Sequence, residues 1–73
     1  MYYAKRIALE EYEDWVKKVR IFTLKNNISM KELASITGYS RATLYAALTN
    51  YERCSRFVVA RVEDLMEEYG EVN

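Results

Sequence analysis

The strongest constraint on this chain lies in residues 28–50, where two helix-start signals stand on either side of one glycine. Ser29 precedes Glu32 by three residues, so its hydroxyl can accept from the Glu32 N–H while the carboxylate reaches back to the Ser29 N–H. Gly38 then supplies the residue that adopts the left-handed conformation without a Cβ clash. The spacing therefore predicts a helix from residue 30 to about residue 37.

A second helix is predicted directly after this turn, because Ser40 offers another N-cap two residues beyond Gly38. This helix is expected to cover residues 41–49, with Asn50 closing it. Each cap is bracketed by an apolar pair at the spacing of a hydrophobic staple, Ile28 with Leu33 and Tyr39 with Leu44. Local signals thus specify the start of both helices twice.

The helical period divides these two helices into an inner and an outer face. Ala34 supplies the small residue where the two backbones approach. The expected inner face consists of Leu33, Ile36, Leu44, Ala47 and Leu48. The expected outer face of the second helix consists of Arg41, Ala42, Tyr45, Ala46 and Thr49. A helix with such an outer face can enter a DNA major groove.

The pattern over residues 33–44 resembles the helix-turn-helix of the lambda-repressor/Cro class and of the lac-repressor headpiece. The residues that carry the resemblance are Ala34, Gly38, Ser40 and Thr43. It implies an all-α, lambda-repressor-like domain of four helices with the helix-turn-helix at residues 28–50. It also implies a sequence-specific transcriptional regulator of phage or mobile-element type, which binds double-stranded DNA as a homodimer on a paired half-site.

The same resemblance implies which residues contact DNA. Arg41 is the candidate for base readout, since arginine pairs bidentately with guanine. Ala42 and Tyr45 are expected to make apolar or hydrogen-bonding contacts with bases. The residues expected to hold phosphates are Ser40, Thr43, Asn50, Arg53 and Arg56. For the last two arginines, simple solvation is an equally open interpretation.

A second function belongs to a different class. The chain could be an antirepressor or modulator that uses the same helix face to engage another regulator protein. Three features favour it: the neutral net charge, the outward Ala42, Tyr45 and Ala46, and Met30 in place of the glutamine that many such motifs carry.

Composition limits the functions open to the chain. A domain of 73 residues buries only about 60% of the surface its unfolded chain exposes, which leaves no room for a large catalytic cleft. Histidine is absent, and nothing resembles a phosphate loop, a metal-ligand cluster or a nucleophile with its base. Neither catalysis, a cofactor nor a small-molecule ligand is expected.

The charges cancel, 11 basic against 11 acidic residues, but they are unevenly distributed. Residues 15–31 hold five basic and no acidic side chains, whereas residues 9–14 hold four acidic and residues 62–73 five acidic side chains. Two interpretations stay open. These blocks are either solvated helix faces or the poles of a molecule whose acidic end points away from DNA or toward a basic partner.

A single cysteine, Cys54, excludes an intramolecular disulfide and favours a reducing compartment. Its expected role is that of a small, semi-buried loop residue. No signal peptide or apolar run of membrane length is recognised in the sequence, so a cytoplasmic protein without a membrane partner is expected.

The remaining segments are predicted to frame the central pair. Residues 1–8 are expected to form a frayed terminus or a packing extension, with a flexible arm that reaches DNA, a first helical turn or a strand that pairs with a partner chain as alternatives. Helix 1 is expected from Leu9, with Asn26 and Asn27 ending it and an apolar stripe made of Leu9, Tyr12, Trp15, Val16, Val19 and Phe22.

The chain after the motif is predicted to form a polar loop over residues 50–56 and a last helix over residues 56–69. Ser55 is its expected cap and Gly70 its end. The expected apolar stripe consists of Val58, Val62, Leu65, Met66 and Tyr69, with Phe57, Val59 and Ala60 partly outside it. This wide apolar face indicates either a dimer interface or a core that wraps around the helix.

Overall fold

Four α-helices make up most of residues 7–70, the part of the chain that the computed structural model describes. They are α1 (Leu9–Lys25), α2 (Met30–Thr37), α3 (Arg41–Thr49) and α4 (Arg56–Glu68), with a short 3-10 turn (Tyr51–Arg53) between α3 and α4. No strand occurs within this range, so the predicted all-α class is confirmed. The predicted N-terminal arm lies largely outside the described residues.

The start of α1 lacks a side-chain cap, because Ala8 has no hydrogen-bonding group; instead the Glu11 carboxylate accepts from the Ala8 N–H at 3.4 Å. Helix α1 ends at Lys25, directly before Asn26 and Asn27, as predicted from these two asparagines. The Asn26 side-chain amide donates to the Phe22 carbonyl at 2.9 Å, and Asn27 takes a left-handed φ of 54°. The chain then turns directly toward the cap of α2.

The capping signals of α2 and α3 form as predicted. The Ser29 hydroxyl accepts from the Glu32 N–H at 3.1 Å, and the Glu32 carboxylate accepts from the Ser29 N–H at 2.9 Å. Gly38 has a φ of 87°, so the turn requires a residue that tolerates the left-handed region. Ser40 caps α3, and its hydroxyl accepts from the Thr43 N–H at 3.0 Å.

One apolar cluster joins all four helices. Trp15, Val19 and Phe22 place three nearly fully buried side chains of α1 at its centre. The other large side chains that are fully buried come from the rest of the chain: Leu33, Leu44, Cys54, Val62 and Leu65. The buried Trp15 indole N–H has no hydrogen-bond partner within residues 7–70, so Trp15 stabilises the core through the apolar area it buries.

Several predicted core positions are wrong. Leu9 is 51% exposed, whereas Ile7, two residues earlier, packs against the core. Ile36 is also exposed, because Leu33, Ala34 and Thr37 form the buried face of α2 and leave Ile36 at its edge.

Tyr69 was predicted in the last helix and its apolar stripe, but α4 ends one residue earlier, at Glu68. Tyr69 is the C-cap and stays partly exposed, although its ring packs edge-on against Phe22 with ring centroids 5.2 Å apart. Gly70 follows with a φ of 81°, as predicted for the residue that ends the helix.

The segment predicted as a polar loop is more ordered and more buried than its composition indicates. It contains the 3-10 turn, Tyr51 packs against the core and Cys54 is buried. In α4, Val59 is buried as well, so the core takes up part of the wide apolar face, whereas Phe57 stays 66% exposed.

Candidate nucleic-acid interface

Helix α3 presents one side to the core and the other to solvent. Leu44 and Ala47 are completely buried, which fixes the rotation of the helix. The residues predicted to contact bases, Arg41, Ala42 and Tyr45, are all exposed, and Tyr45 is 63% exposed. Of the other positions predicted to face outward, Thr49 is exposed and Ala46 is half-buried. Leu48, predicted on the inner face, is half-buried too.

A pair of hydroxyls marks the N-terminal end of α3. The Ser40 hydroxyl accepts from the Thr43 N–H and donates to the Thr43 hydroxyl oxygen at 2.8 Å. The proton of the Thr43 hydroxyl therefore stays available for another acceptor. The positive end of the helix dipole lies at the same place, so an anion would be favoured here.

The C-terminal end of α3 leads into the arginines of the following turn. The Asn50 side-chain oxygen accepts from the Glu52 N–H at 2.9 Å and thereby caps the 3-10 turn. This turn packs against α3, so exposed Arg53 follows the end of the helix closely. Arg56 is the first residue of α4, after the Ser55 cap.

Two tyrosine hydroxyls connect α3 and the following 3-10 turn to α1 and to the residue Ile7 that precedes it. The Tyr12 hydroxyl donates to the Ala47 carbonyl at 2.8 Å, in the last turn of α3, where carbonyls lack partners within the helix. The Tyr51 hydroxyl donates to the Ile7 carbonyl at 2.6 Å. The two rings meet edge-on with centroids 5.2 Å apart.

The C-terminal end of α2 is completed by two side chains from different parts of the chain. The buried Thr37 hydroxyl donates to the Leu33 carbonyl at 2.8 Å. The Arg61 guanidinium of α4 donates to the Ile36 carbonyl at 3.2 Å, which brings a cation to the negative end of the helix dipole. Both hydrogen bonds thus satisfy carbonyls in the last part of α2, directly before the turn that leads into α3.

The titration behaviour of the site follows from burial. Burial raises the pKa of the Cys54 thiol to about 11. Burial, together with the nearby Cys54, raises the pKa of the Tyr12 phenol above its usual range. Helix α3 itself carries one charge, that of Arg41, and no acidic residue. Within residues 7–70 there is no group of three or more histidine, cysteine or acidic side chains that could hold a metal ion.

A groove of about 360 Å³ runs between α1 and α3 beside this face. Helix α1 contributes four residues to its lining, α2 one and α3 three: Val19, Arg20, Thr23, Leu24, Met30, Tyr45, Leu48 and Thr49. Tyr45 and Thr49 therefore belong both to the exposed face of α3 and to the groove.

The structure brings Ser40, Arg41, Ala42 and Thr43 together at the start of α3, with Tyr45 one turn further along. The sequence interpretation did not identify the roles of Tyr12 and Arg61, because hydrogen bonds to carbonyls of other helices leave no local pattern. It also missed the role of Thr37, although its hydroxyl bonds to the Leu33 carbonyl of its own helix. It also missed the groove, although Leu24, which lines it, was visible as an apolar residue outside the stripe of α1.

No helix within residues 7–70 has the length and apolar character required to cross a membrane. The chain matches no protein-family model, no curated protein and no solved structure.

Proposed function

We propose that the α2–α3 pair is a helix-turn-helix of the lambda-repressor kind and that the protein is a sequence-specific DNA-binding transcriptional regulator of phage or mobile-element type. The observation that carries the proposal is the exposed face of α3. It combines Arg41, Ala42, Tyr45 and Thr49 on a helix whose opposite side is completely buried. A helix anchored in this way can enter a major groove without unfolding the core.

The chemistry of this face suits DNA. Arg41 would donate a bidentate pair of hydrogen bonds to guanine, and Ala42 and Tyr45 would contact neighbouring base edges. No carboxylate lies on α3 to repel the phosphates. The Thr43 hydroxyl proton is available to a phosphate oxygen, because the Ser40 hydroxyl already donates to the Thr43 oxygen.

The segment after α3 supplies further phosphate contacts. The Asn50 side-chain oxygen is occupied by the Glu52 N–H, so its amide group would be the donor to a phosphate. Arg53 is the last residue of the 3-10 turn and Arg56 is the first residue of α4, and both side chains are exposed. Such contacts would set affinity and register without reading sequence.

The regulator would act as a homodimer on a paired half-site, since one helix of nine residues reads only a few base pairs. Phe57 at the start of α4 is the largest apolar side chain of that helix that the core leaves exposed. A second copy would bury this side chain.

An antirepressor or modulator function is the second candidate, in which the same face of α3 engages another regulator protein. It is favoured by the neutral net charge and by the single charge on α3. Tyr45 would then be the anchor, because exposed tyrosines often dominate the energetics of protein interfaces.

Salt-dependent binding to duplex DNA separates the two functions. If α3 reads DNA, its affinity for duplex DNA falls steeply with salt. Arg53→Ala should then lower the slope of log affinity against log salt concentration by about one unit and weaken binding to all sequences alike. If α3 holds a protein, the chain binds no duplex at low salt, and Tyr45→Ala is the most damaging change in a partner titration. The second result would replace the DNA-binding proposal.

A further inference from the structure

The groove between α1 and α3 has apolar walls that the fold leaves uncovered. Leu24 is 81% exposed and Tyr45 63% exposed, and both line the groove. Its lining is continued by Met30 and Leu48, which are half-buried, and by buried Val19. Apolar residues that are exposed singly are ordinary, whereas Leu24 and Tyr45 line one and the same groove.

The shape of the groove suits a helix. It lies between two helices, and its lining spans more than one turn on each of them, residues 19–24 of α1 and residues 45–49 of α3. An amphipathic helix docks in such a groove through apolar side chains spaced three and four residues apart. A small molecule would need polar groups free to fix its orientation, whereas the Thr23 and Thr49 hydroxyls of the lining already donate to the Arg20 and Tyr45 carbonyls of their own helices.

The charge around the groove selects an acidic occupant. Arg20 is exposed and lines the groove, and no acidic side chain does. Lys31 is exposed and adjoins Met30 in sequence. The nearest carboxylate in sequence to Met30, that of Glu32, accepts from the Ser29 N–H. Carboxylates of the occupant would therefore meet the Arg20 guanidinium and no acidic side chain of the lining.

DNA is also anionic, but it offers little to an apolar groove. The thymine methyl group is its main apolar feature in the major groove, and phosphates would gain nothing from Leu24 or Met30. An acidic amphipathic helix would contact the apolar walls with its apolar side chains and Arg20 with its carboxylates.

We propose that this groove binds an acidic amphipathic helix of a partner protein, with apolar side chains between Leu24 and Tyr45 and carboxylates toward Arg20. The occupant shares Tyr45 and Thr49 with the face assigned to DNA. Partner and DNA therefore exclude each other. This exclusion rests on the proposed function, whereas the docking itself does not.

The test uses a synthetic peptide of about 15 residues, long enough for measurable helix formation, with leucine at positions spaced three and four apart and glutamate elsewhere. Its twin carries lysine in place of glutamate. Each is titrated into the isotopically labelled full chain, and amide shifts are mapped by NMR. We expect the glutamate peptide to shift the amides of Leu24, Met30 and Tyr45, and the lysine twin to bind about tenfold more weakly.

Two variants locate the binding. Leu24→Glu is expected to weaken the glutamate peptide at least about tenfold, because it places a carboxylate in the apolar wall. Ile21→Glu makes the same change on α1 at a residue that is 62% exposed and does not line the groove. This variant should therefore bind the glutamate peptide with the affinity of the wild type. Melting temperatures of both variants verify that the fold is intact.

Four results would overturn the proposal: no shifts with the glutamate peptide, equal binding of the lysine twin, an equal loss in both variants, or lining shifts that depend on protein concentration alone. Shifts of Leu24 and Met30 with duplex DNA and not with the peptide would assign the groove to DNA. Displacement of bound duplex by the glutamate peptide supports exclusion. If no duplex binds, the proposed function fails, while the peptide maps still decide the docking.

Discussion

The Tyr12 hydroxyl donates to the Ala47 carbonyl at 2.8 Å and so ties α1 to the last turn of α3, across 35 residues of sequence. Both partners are buried. The bond satisfies a carbonyl at a helix end that has no helical partner. It therefore couples the orientation of the exposed α3 face to the central helix of the fold.

Tyr12→Phe should lower the free energy of unfolding by about 1–3 kcal/mol, because the buried Ala47 carbonyl loses its donor while the ring remains. Denaturant titration measures the loss. Tyr45→Phe is the matched control, since its hydroxyl sits on an exposed side chain, and its stability should equal that of the wild type. Equal stabilities for all three proteins would contradict the assigned role of the bond.

Gly38→Val should destabilise the domain by about 1–3 kcal/mol, because a β-branched residue is strained at the φ of 87° found there. An added Cβ meets no atom within 4 Å, so the cost is one of backbone conformation alone. Gly38→Asn, with a residue that tolerates the left-handed region, should lose clearly less in the same thermal melts. Similar losses in both variants would argue against a strained turn.

The Cys54 thiol should make stability depend on alkaline pH. Its pKa in the fold is about 11, above the ordinary value of 9.0, because burial disfavours the thiolate. The stabilisation of the neutral thiol is complete below pH 9.0 and is lost as the pH rises toward 11. Between about pH 9 and pH 11 the wild type should lose more stability than Cys54→Ala, which lacks the thiol. Parallel pH profiles would contradict this.

Much of the fold could be predicted because its signals are local. The helix caps and turns depend only on contacts within a few residues of sequence, and they adopt the expected geometry at Asn27, Ser29 with Glu32, Gly38 and Ser40. Periodicity was less reliable at the ends of helices, as the exposure of Leu9 demonstrates.

The candidate site was predictable only in part, for a related reason. The exposed side of α3 follows from its period, since buried Leu44 and Ala47 leave Arg41 and Tyr45 outside. The groove beside it needs α1 and α3 placed against each other, which depends on long-range contacts such as that of Tyr12 with Ala47. No local pattern specifies such contacts.

Phe57 should contribute to self-association, because it is the largest apolar side chain of α4 that the core leaves exposed. Phe57→Glu should shift sedimentation equilibrium from dimer toward monomer at micromolar concentration. Leu9→Glu, the same kind of change on the exposed first residue of α1, serves as the control and should leave the dimer intact. A wild-type monomer at hundreds of micromolar, both alone and on DNA, would contradict the dimer proposal.

The most direct test of the central claim is selection of duplexes from a randomised pool by the wild type and by Arg41→Ala. If α3 reads DNA, the wild type should enrich one sequence with paired half-sites. Arg41→Ala should bind that sequence more weakly by about 1–3 kcal/mol and lose preference at a single base pair of each half-site. A wild type that enriches no sequence at low salt, or an Arg41→Ala variant with unchanged preference at every position, would contradict the assignment of α3 as the reading helix.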